Sequence, residues 1–403
     1  MRENNSEECE VKRIIPLDYL RVIAVAILFF FHLGMIWVPE WQFHFKQQTQ
    51  WYWLQHVMLL VSPWRMGLLW FIAGTSIWVM RQRYGLHFLL FRRSNAILLP
   101  LLIGIFFIVP IQLFVEMTQK LGIDVPLSEF FFQFYFGENA YFQGFSSGIW
   151  HHVDVNHLWF LRSLWRFTLL LVIFDRLLLT LRQRYCNFSL LWLCTLLIVT
   201  LGTMHIEDSD LRRDCYGFMC LLIGYFFGVS HQFWAWLKAN TMPLLLSAIS
   251  VTLVYETCFW LMRIEVGGDT LKTAFNLSYN VSKVVTLMAI LAVSSRLFAH
   301  PNTSVARANQ FVFPLYVFHQ SVLVGVAYVV ANYTLSPSAS VLMTAMFSVI
   351  VCFLGLMVSH YNALVGLLFG KKPTCTSWLH SREVQIAIAL ITLPLGLKVI
   401  GVM

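Results

Sequence analysis

The sequence predicts an all-α fold, a polytopic transmembrane helical bundle of about 10–11 spans with a cytoplasmic N-terminus. Three observations carry this reading. Of 403 residues, 58% are hydrophobic and only 12% are charged, whereas soluble domains carry about 25% charge. The apolar residues gather into runs that match the roughly 20 residues a helix needs to cross a bilayer. Basic residues concentrate in alternate connections. With the N-terminus inside, Lys46, Lys120, Arg212, Arg213, Arg263 and Lys272 fall to the outer loops. Most of the others, Arg81, Arg83, Arg176, Arg182, Arg184, Lys238 and Arg296 among them, face the cytoplasm, as inner loops prefer. The net charge of +8 therefore reports topology, and no nucleic-acid partner is expected; the partner is the lipid bilayer.

Residues 1–16 read as a polar cytoplasmic segment with no cleavable signal, because the apolar run that follows is long enough to remain as a span. That run, 17–38, is the first span. The next are 64–80, 95–115, 156–174, 188–203, 216–230, 241–262, 275–295, 311–330 and 341–358. Residues 371–403 form a C-terminal segment in which 383–402 supplies either an eleventh span or an interfacial helix. No internal repeat, low-complexity linker or compositional break divides the chain, so residues 1–403 read as a single integral-membrane domain. Of the eight cysteines only Cys215 falls in an outer loop, which argues against a disulfide framework. No Cys/His spacing suggests zinc, and no metal is expected.

An ionisable residue inside a membrane span is costly and marks a functional site by default. Arg21 and His32 are eleven residues apart in the first span, about three helical turns, and so share one face. Asp18 lies one turn before Arg21. Two readings are open: a reactive column, or an Asp18–Arg21 pair at the membrane border with His32 hydrogen-bonded in the core. At about 1.5 Å per residue, His32 lies about 22 Å above the start of its span, and Arg65, Arg162, Lys283 and His319 lie about 18–24 Å above the inner ends of theirs. His157 comes out slightly higher. Arg21, Arg65, Arg162, Arg166 and Lys283 are intramembrane cations, against Asp18 and Glu256 as the main acids. Such an excess calls for an anionic ligand, and the arginine fork suits phosphate or carboxylate. The alternative for any one of them is snorkelling to the interface.

Leu17-Asp18-Tyr19-Leu20-Arg21, with His32 further along the same span, resembles the opening motif of the acyltransferase-3 family of integral-membrane acyltransferases. Arg65-Met66-Gly67 through Ala73-Gly74 resembles that family's second helix, with Ala73 in place of the usual serine. Asn156-His157-Leu158-Trp159-Phe160-Leu161 resembles its His-Leu-Trp-Phe-Leu element. Phe313-Pro314-Leu315-Tyr316-Val317-Phe318-His319 resembles its late Leu-Tyr-x-x-His segment. The four elements span residues 17–320 in the family's order. The resemblance is greatest to the branch of glucan-modifying succinyltransferases and glycan O-acyltransferases. One departure concerns the basic element after the second helix: Ala96 follows Arg93 where the family has a second arginine, and Arg92 or the Arg81/Arg83 pair is available to compensate.

The resemblance implies transfer of an acyl group, acetyl or succinyl, from cytoplasmic acyl-coenzyme A to a saccharide or glycan hydroxyl on the outer side of a membrane, the inner membrane of a bacterium. Acyl-coenzyme A is then a cosubstrate, and no cofactor is held permanently. His32, Asp18 and Arg65 are the candidate catalytic residues, with His32 as the base, since imidazole titrates near neutrality. An acyl-histidine is the variant mechanism. Arg21, Arg92, Arg93, Arg162, Arg166 and Lys283 are candidates to bind the donor; Arg21 stands about 16 Å below His32, a span suited to a pantetheine arm. His157, Trp159 and His319 are candidates to bind the acceptor. Two outer segments, 37–53 and 130–152, are rich in aromatic rings that suit sugar stacking or an interfacial belt. The other functional class that fits is a transporter or flippase for an anionic amphiphile or sugar. A homo-oligomer is compatible with either.

Overall fold

The computed structural model describes residues 14–137, 139–142, 144–145, 152–184, 190–264 and 267–370, with a few isolated positions beyond. The expected span at 383–402 lies outside the described residues. The first helices are α1 (Ile15–Met35), α2 (Tyr52–Arg83), α3 (Leu86–Ile103), α4 (Pro110–Leu121), α5 (Leu127–Phe136), α6 (Trp159–Ile173), α7 (Asp175–Arg184) and α8 (Leu190–Gly202). They continue as α9 (Ser209–Phe227), α10 (His231–Ala239), α11 (Thr241–Arg263), α12 (Asp269–Leu297), α13 (Thr303–Ala308), α14 (Val312–Ala331), α15 (Pro337–Tyr361) and α16 (Ala363–Leu368). The described part of each expected span up to residue 358 lies largely on one of these helices, except 95–115, which runs through α3, a π-helical turn and α4. Among the described residues seven segments are long and apolar enough to cross a membrane, namely α1, α2, α11, α12, α14, α15 and α3 continued into α4, and α9 with α10 makes an eighth, bent by 109°. Helices α6 and α8 are shorter, at 15 and 13 residues. The fold is thus an all-α polytopic helical bundle.

The chain packs as two compact units, residues 1–21, 63–84 and 176–305 in the first and residues 22–62, 85–175 and 306–403 in the second. In the first unit α11 and α12 pack along their lengths, and α12 also meets α8 and α10. The second part of α2 meets α9 through glycines. A Cβ on Gly74 would lie 1.9 Å from the Leu221 carbonyl oxygen, and one on Gly224 would lie 2.0 Å from that of Phe71. Thr75 Oγ1 donates across the seam to the Gly224 carbonyl at 3.1 Å. Small residues let membrane helices approach this closely, and dispersion with interhelical hydrogen bonds then holds them. Arg182 closes one end of α9: its guanidinium lies 3.6 Å over the Trp78 ring and donates to the Tyr225 carbonyl at 2.5 Å and to that of Phe226.

In the second unit α15 is inverted relative to a soluble helix. Ser340, Thr344, Ser348 and Cys352, four residues apart, are buried, while Leu342, Met346, Val349, Ile350, Phe353 and Leu354 are exposed. Four-residue spacing puts the small polar groups on one face, and the apolar face suits lipid. A second device is the π-helical turn at Gly104–Ile108, between α3 and Pro110. Proline supplies no N–H and cannot serve the carbonyl four residues back. That carbonyl, of Phe106, accepts the Tyr135 hydroxyl at 2.6 Å. The extra residue turns the following face of the helix by about 100°, which sets the orientation of Gln112.

Residues 36–51 fold back on the end of α1. Lys46 Nζ donates to the Met35 and Val38 carbonyls at 2.7 and 2.5 Å, serving acceptors that a helix terminus leaves open. Lys46 and Gln119 also bond reciprocally, N–H to Oε1 at 2.9 Å and Nε2 to the carbonyl at 2.6 Å. Burial lowers the Lys46 ammonium from 10.5 to about 8. The unfolded chain then holds that proton more tightly than the folded one, so stability from this group rises as the pH climbs from about 8 towards 10.5 and is lost as the pH falls through about 8. The neutral amine keeps two N–H groups for the two carbonyls. The thermal midpoint in detergent is expected to rise between about pH 7.5 and 9.5, and Lys46→Met to flatten that slope and cost about 1–3 kcal/mol from the orphaned carbonyls. An unchanged slope in the variant would remove Lys46 as its source.

Candidate active site

Three imidazoles meet in the second unit. His32 is in the last turn of α1, His319 is in the middle of α14, and His157 is in the 3-10 turn Asn156–Leu158 that leads into α6. Ring centroids are 5.2 Å apart for His32 and His319, and 5.6 Å for His157 and His319. Phe43, held by the folded-back segment, lies parallel to the His32 ring at 6.0 Å. Apolar packing among Phe29, Leu33, Val115, Phe318, Leu323 and Cys352 fixes α1, α4, α14 and α15 around the cluster.

Hydrogen bonds assign the tautomers of two rings. His157 Nε2 donates to the Val317 carbonyl at 2.9 Å, so its Nδ1 is the acceptor and takes an N–H from Gln112 Nε2 at 2.9 Å. The second N–H of Gln112 goes to Ser321 Oγ at 2.6 Å, and its Oε1 accepts from Gln320 Nε2 at 3.1 Å. The Tyr316 hydroxyl donates to the His157 carbonyl at 2.6 Å. Both ring nitrogens of His157 are therefore engaged. His319 differs: Nδ1–H is shared between the Tyr316 and Leu315 carbonyls at 2.8 and 3.2 Å. Its Nε2 is then the lone-pair nitrogen, buried and with no hydrogen-bond partner among the described residues. A buried acceptor left open is costly, and here it lies beside a second imidazole.

Asp18 and Arg21 lie in the first unit and pair with each other at 3.5 Å, while Arg21 Nη2 also donates to Ser76 Oγ of α2 at 3.2 Å. His32 falls in the second unit, and the Asp18 carboxylate serves Arg21 within the first. Arg65 and Lys283 also fall in the first unit, where Lys283 lies over the Tyr279 ring at 5.4 Å and donates to Asn280 Oδ1 at 2.8 Å. Arg92 and Arg93 lie on α3, and Trp159, Arg162 and Arg166 on α6, all in the second unit. Arg93 Nε and Nη2 are sealed from solvent with no partner among the described residues. The cluster residues that sequence reasoning missed are Gln112, Tyr316, Gln320 and Ser321. Gln112 carried a usable signal, an amide inside an apolar run. Among the described residues no three His, Cys, Asp or Glu side chains come together as metal ligands.

The aromatic stretch at 130–152 serves packing first. Phe130, Phe134 and Phe142 are buried together, and His152 stacks on Phe142 at 3.8 Å. The acyltransferase-3 family model, an acyltransferase domain, matches residues 14–359. No curated protein and no solved structure matches the chain.

Proposed function

The chain belongs to the acyltransferase-3 family of membrane acyltransferases, and from that we propose that it moves an acetyl or succinyl group from acyl-coenzyme A to a saccharide hydroxyl, with the His32–His319 pair at the centre of the reaction. The observation that carries this reading is the pair itself: two imidazoles 5.2 Å apart, one of which keeps a buried lone-pair nitrogen with no hydrogen-bond partner among the described residues. His32 removes the proton from the acceptor hydroxyl. The oxygen attacks the thioester carbonyl, the carbon–sulfur bond breaks, and the proton passes from His32 to the departing thiolate. His319 Nε2 accepts a hydrogen bond that holds the reacting hydroxyl. His157, with both nitrogens engaged, positions Tyr316 and α14 and does not touch the acceptor. Trp159, at the start of α6, remains assigned to the acceptor side.

On the donor side, Arg21 stands eleven residues before His32 in the sequence. Its paired but partly exposed guanidinium is assigned to the phosphates of the donor. Arg93 supports an anionic ligand independently, because its sealed Nε and Nη2 have no partner among the described residues, and a buried charge left uncompensated is costly unless an anion meets it. The branch of glucan-modifying succinyltransferases, a cytoplasmic N-terminus and a bacterial inner membrane complete the proposal.

The test is release of free thiol from acetyl- and succinyl-coenzyme A by detergent-purified protein, wild type against His32→Ala. The wild type is expected to release thiol and the folded variant to lose at least about 100-fold of it. Equal release from both removes His32 as the base. No release and no coenzyme A binding, with saccharides supplied, turns the reading towards transport.

A further inference from the structure

We infer that the cavity lined by His44, Glu116, Lys120, Phe134, Asp154 and Asn156 is the acceptor site, and that it takes an uncharged, polyhydroxylated ring. The inference rests on the acyl-transfer reading. All of its residues lie in the second unit. The cavity holds about 400 Å³, within the range of small-molecule sites, about 300–1,000 Å³.

Three chain segments wall this cavity on one side and build the imidazole cluster on the other. His44 lines the cavity, while its neighbour Phe43 lies against His32. Pro110 and Leu113 line it, while Gln112 between them bonds to His157. Asn156 lines it, while the next residue is His157 itself. Asn156 also holds the only positive φ found among the described non-glycine residues, 41°. Asparagine tolerates that region better than most side chains, and such strain collects where a binding site must be shaped. The cavity wall is therefore one residue away from the imidazole cluster at three points, through Phe43 against His32 and through Gln112 and Asn156 at His157.

The lining decides the ligand class. Glu116 accepts from His44 Nδ1 at 2.6 Å and from Lys120 Nζ at 2.5 Å, so its charge is answered within the wall. Asp154 Oδ1 takes the Val155 N–H at 2.6 Å. Carboxylate oxygens accept more than one hydrogen bond each, which leaves both acids able to receive ligand hydroxyls. Two carboxylates against Lys120 and His44 give no excess of positive charge to draw an anion, in contrast to the arginines assigned to the donor. Phe134 adds an aromatic surface suited to the C–H face of a sugar.

Binding of neutral gluco-, galacto- and manno-oligosaccharides of two to six residues to the purified full-length protein, measured by calorimetry beside a uronic-acid oligomer, tests the assignment. The neutral sugars are expected to bind and the uronic acid to bind at least tenfold more weakly. Asp154→Asn is expected to weaken the neutral sugars at least tenfold with the thermal midpoint retained. Gln48→Ala, in a neighbouring cavity formed by the same folded-back segment, is expected to leave the affinity within twofold. No neutral sugar bound, a preference for the uronic acid, or loss in Gln48→Ala with retention in Asp154→Asn each overturns the inference. Thiol release by the wild type is followed in parallel. Release without sugar binding overturns the acceptor site alone, whereas absence of release overturns the acyl-transfer reading whatever the sugars do.

Discussion

His319→Ala is expected to lower acyl-transfer turnover by roughly 10²–10⁴-fold, a loss comparable to that from His32→Ala, while the protein stays folded. The physical reason is the distribution of its hydrogen bonds. Nδ1–H is tied to two carbonyls of its own helix, which fixes the ring and the tautomer, and Nε2 serves no described partner. Removing the ring therefore deletes a proton acceptor without leaving a chain of broken side-chain bonds behind. His157 is the contrast: its loss would strand Gln112 and the Val317 carbonyl, a stability effect. Because His319 and His32 act on one hydroxyl, their effects are expected to be non-additive, as for catalytic groups that work as a unit. The double variant should be no slower than the slower single. Turnover of all three variants under saturating donor decides the matter. Rates that multiply would show two independent contributions and separate His319 from the chemistry. A His319→Ala protein at wild-type rate would leave it as a packing residue.

What could be read from sequence divides along a physical line. Apolar runs of span length announce themselves one segment at a time, because each helix satisfies its own backbone in lipid; α1, α11, α12, α14 and α15 were legible for that reason. The short helices α5, α7 and α10 were not, since an amphipathic segment of nine or ten residues carries no such requirement. At the site, His32, His157 and His319 were legible as titratable or polar residues in apolar surroundings. Gln320 and Ser321 were not, because an uncharged side chain signals a partner only when the facing helix is known, and Gln112 showed only as an amide inside an apolar run. The expected basic column fares differently. Arg65 and Lys283 fall in one unit, and Arg162 and Arg166 share α6 in the other. Height along a span is set by local geometry; position in the plane is set by which helices pack, and no single segment encodes that.

Gly224→Ala is expected to destabilise the first unit by about 3 kcal/mol or more, above the usual 1–3 kcal/mol for overpacking, and Gly74→Ala to do the same. Both costs come from contact with backbone. The added methyl of Gly224 would lie 2.0 Å from the Phe71 carbonyl oxygen, and that of Gly74 1.9 Å from the Leu221 oxygen. A flexible side chain could rotate out of the way; a carbonyl inside a helix cannot move without taking the helix with it. The two clashes are reciprocal, α2 into α9 and α9 into α2, so neither helix can retreat without opening the other contact. Retreat would also stretch the Thr75–Gly224 hydrogen bond. The resemblance of Arg65 through Gly74 to a family motif thus has a packing cause at its last position, whatever Arg65 binds. Gly202 is the control, because an added methyl there would meet no heavy atom within 4 Å. Gly202→Ala should be neutral or stabilise by up to about 1 kcal/mol, since alanine loses less backbone freedom on folding. Thermal midpoints of the three purified variants test this. If Gly224→Ala melts with the wild type, helices α2 and α9 have room to part, and close glycine packing is not what holds them.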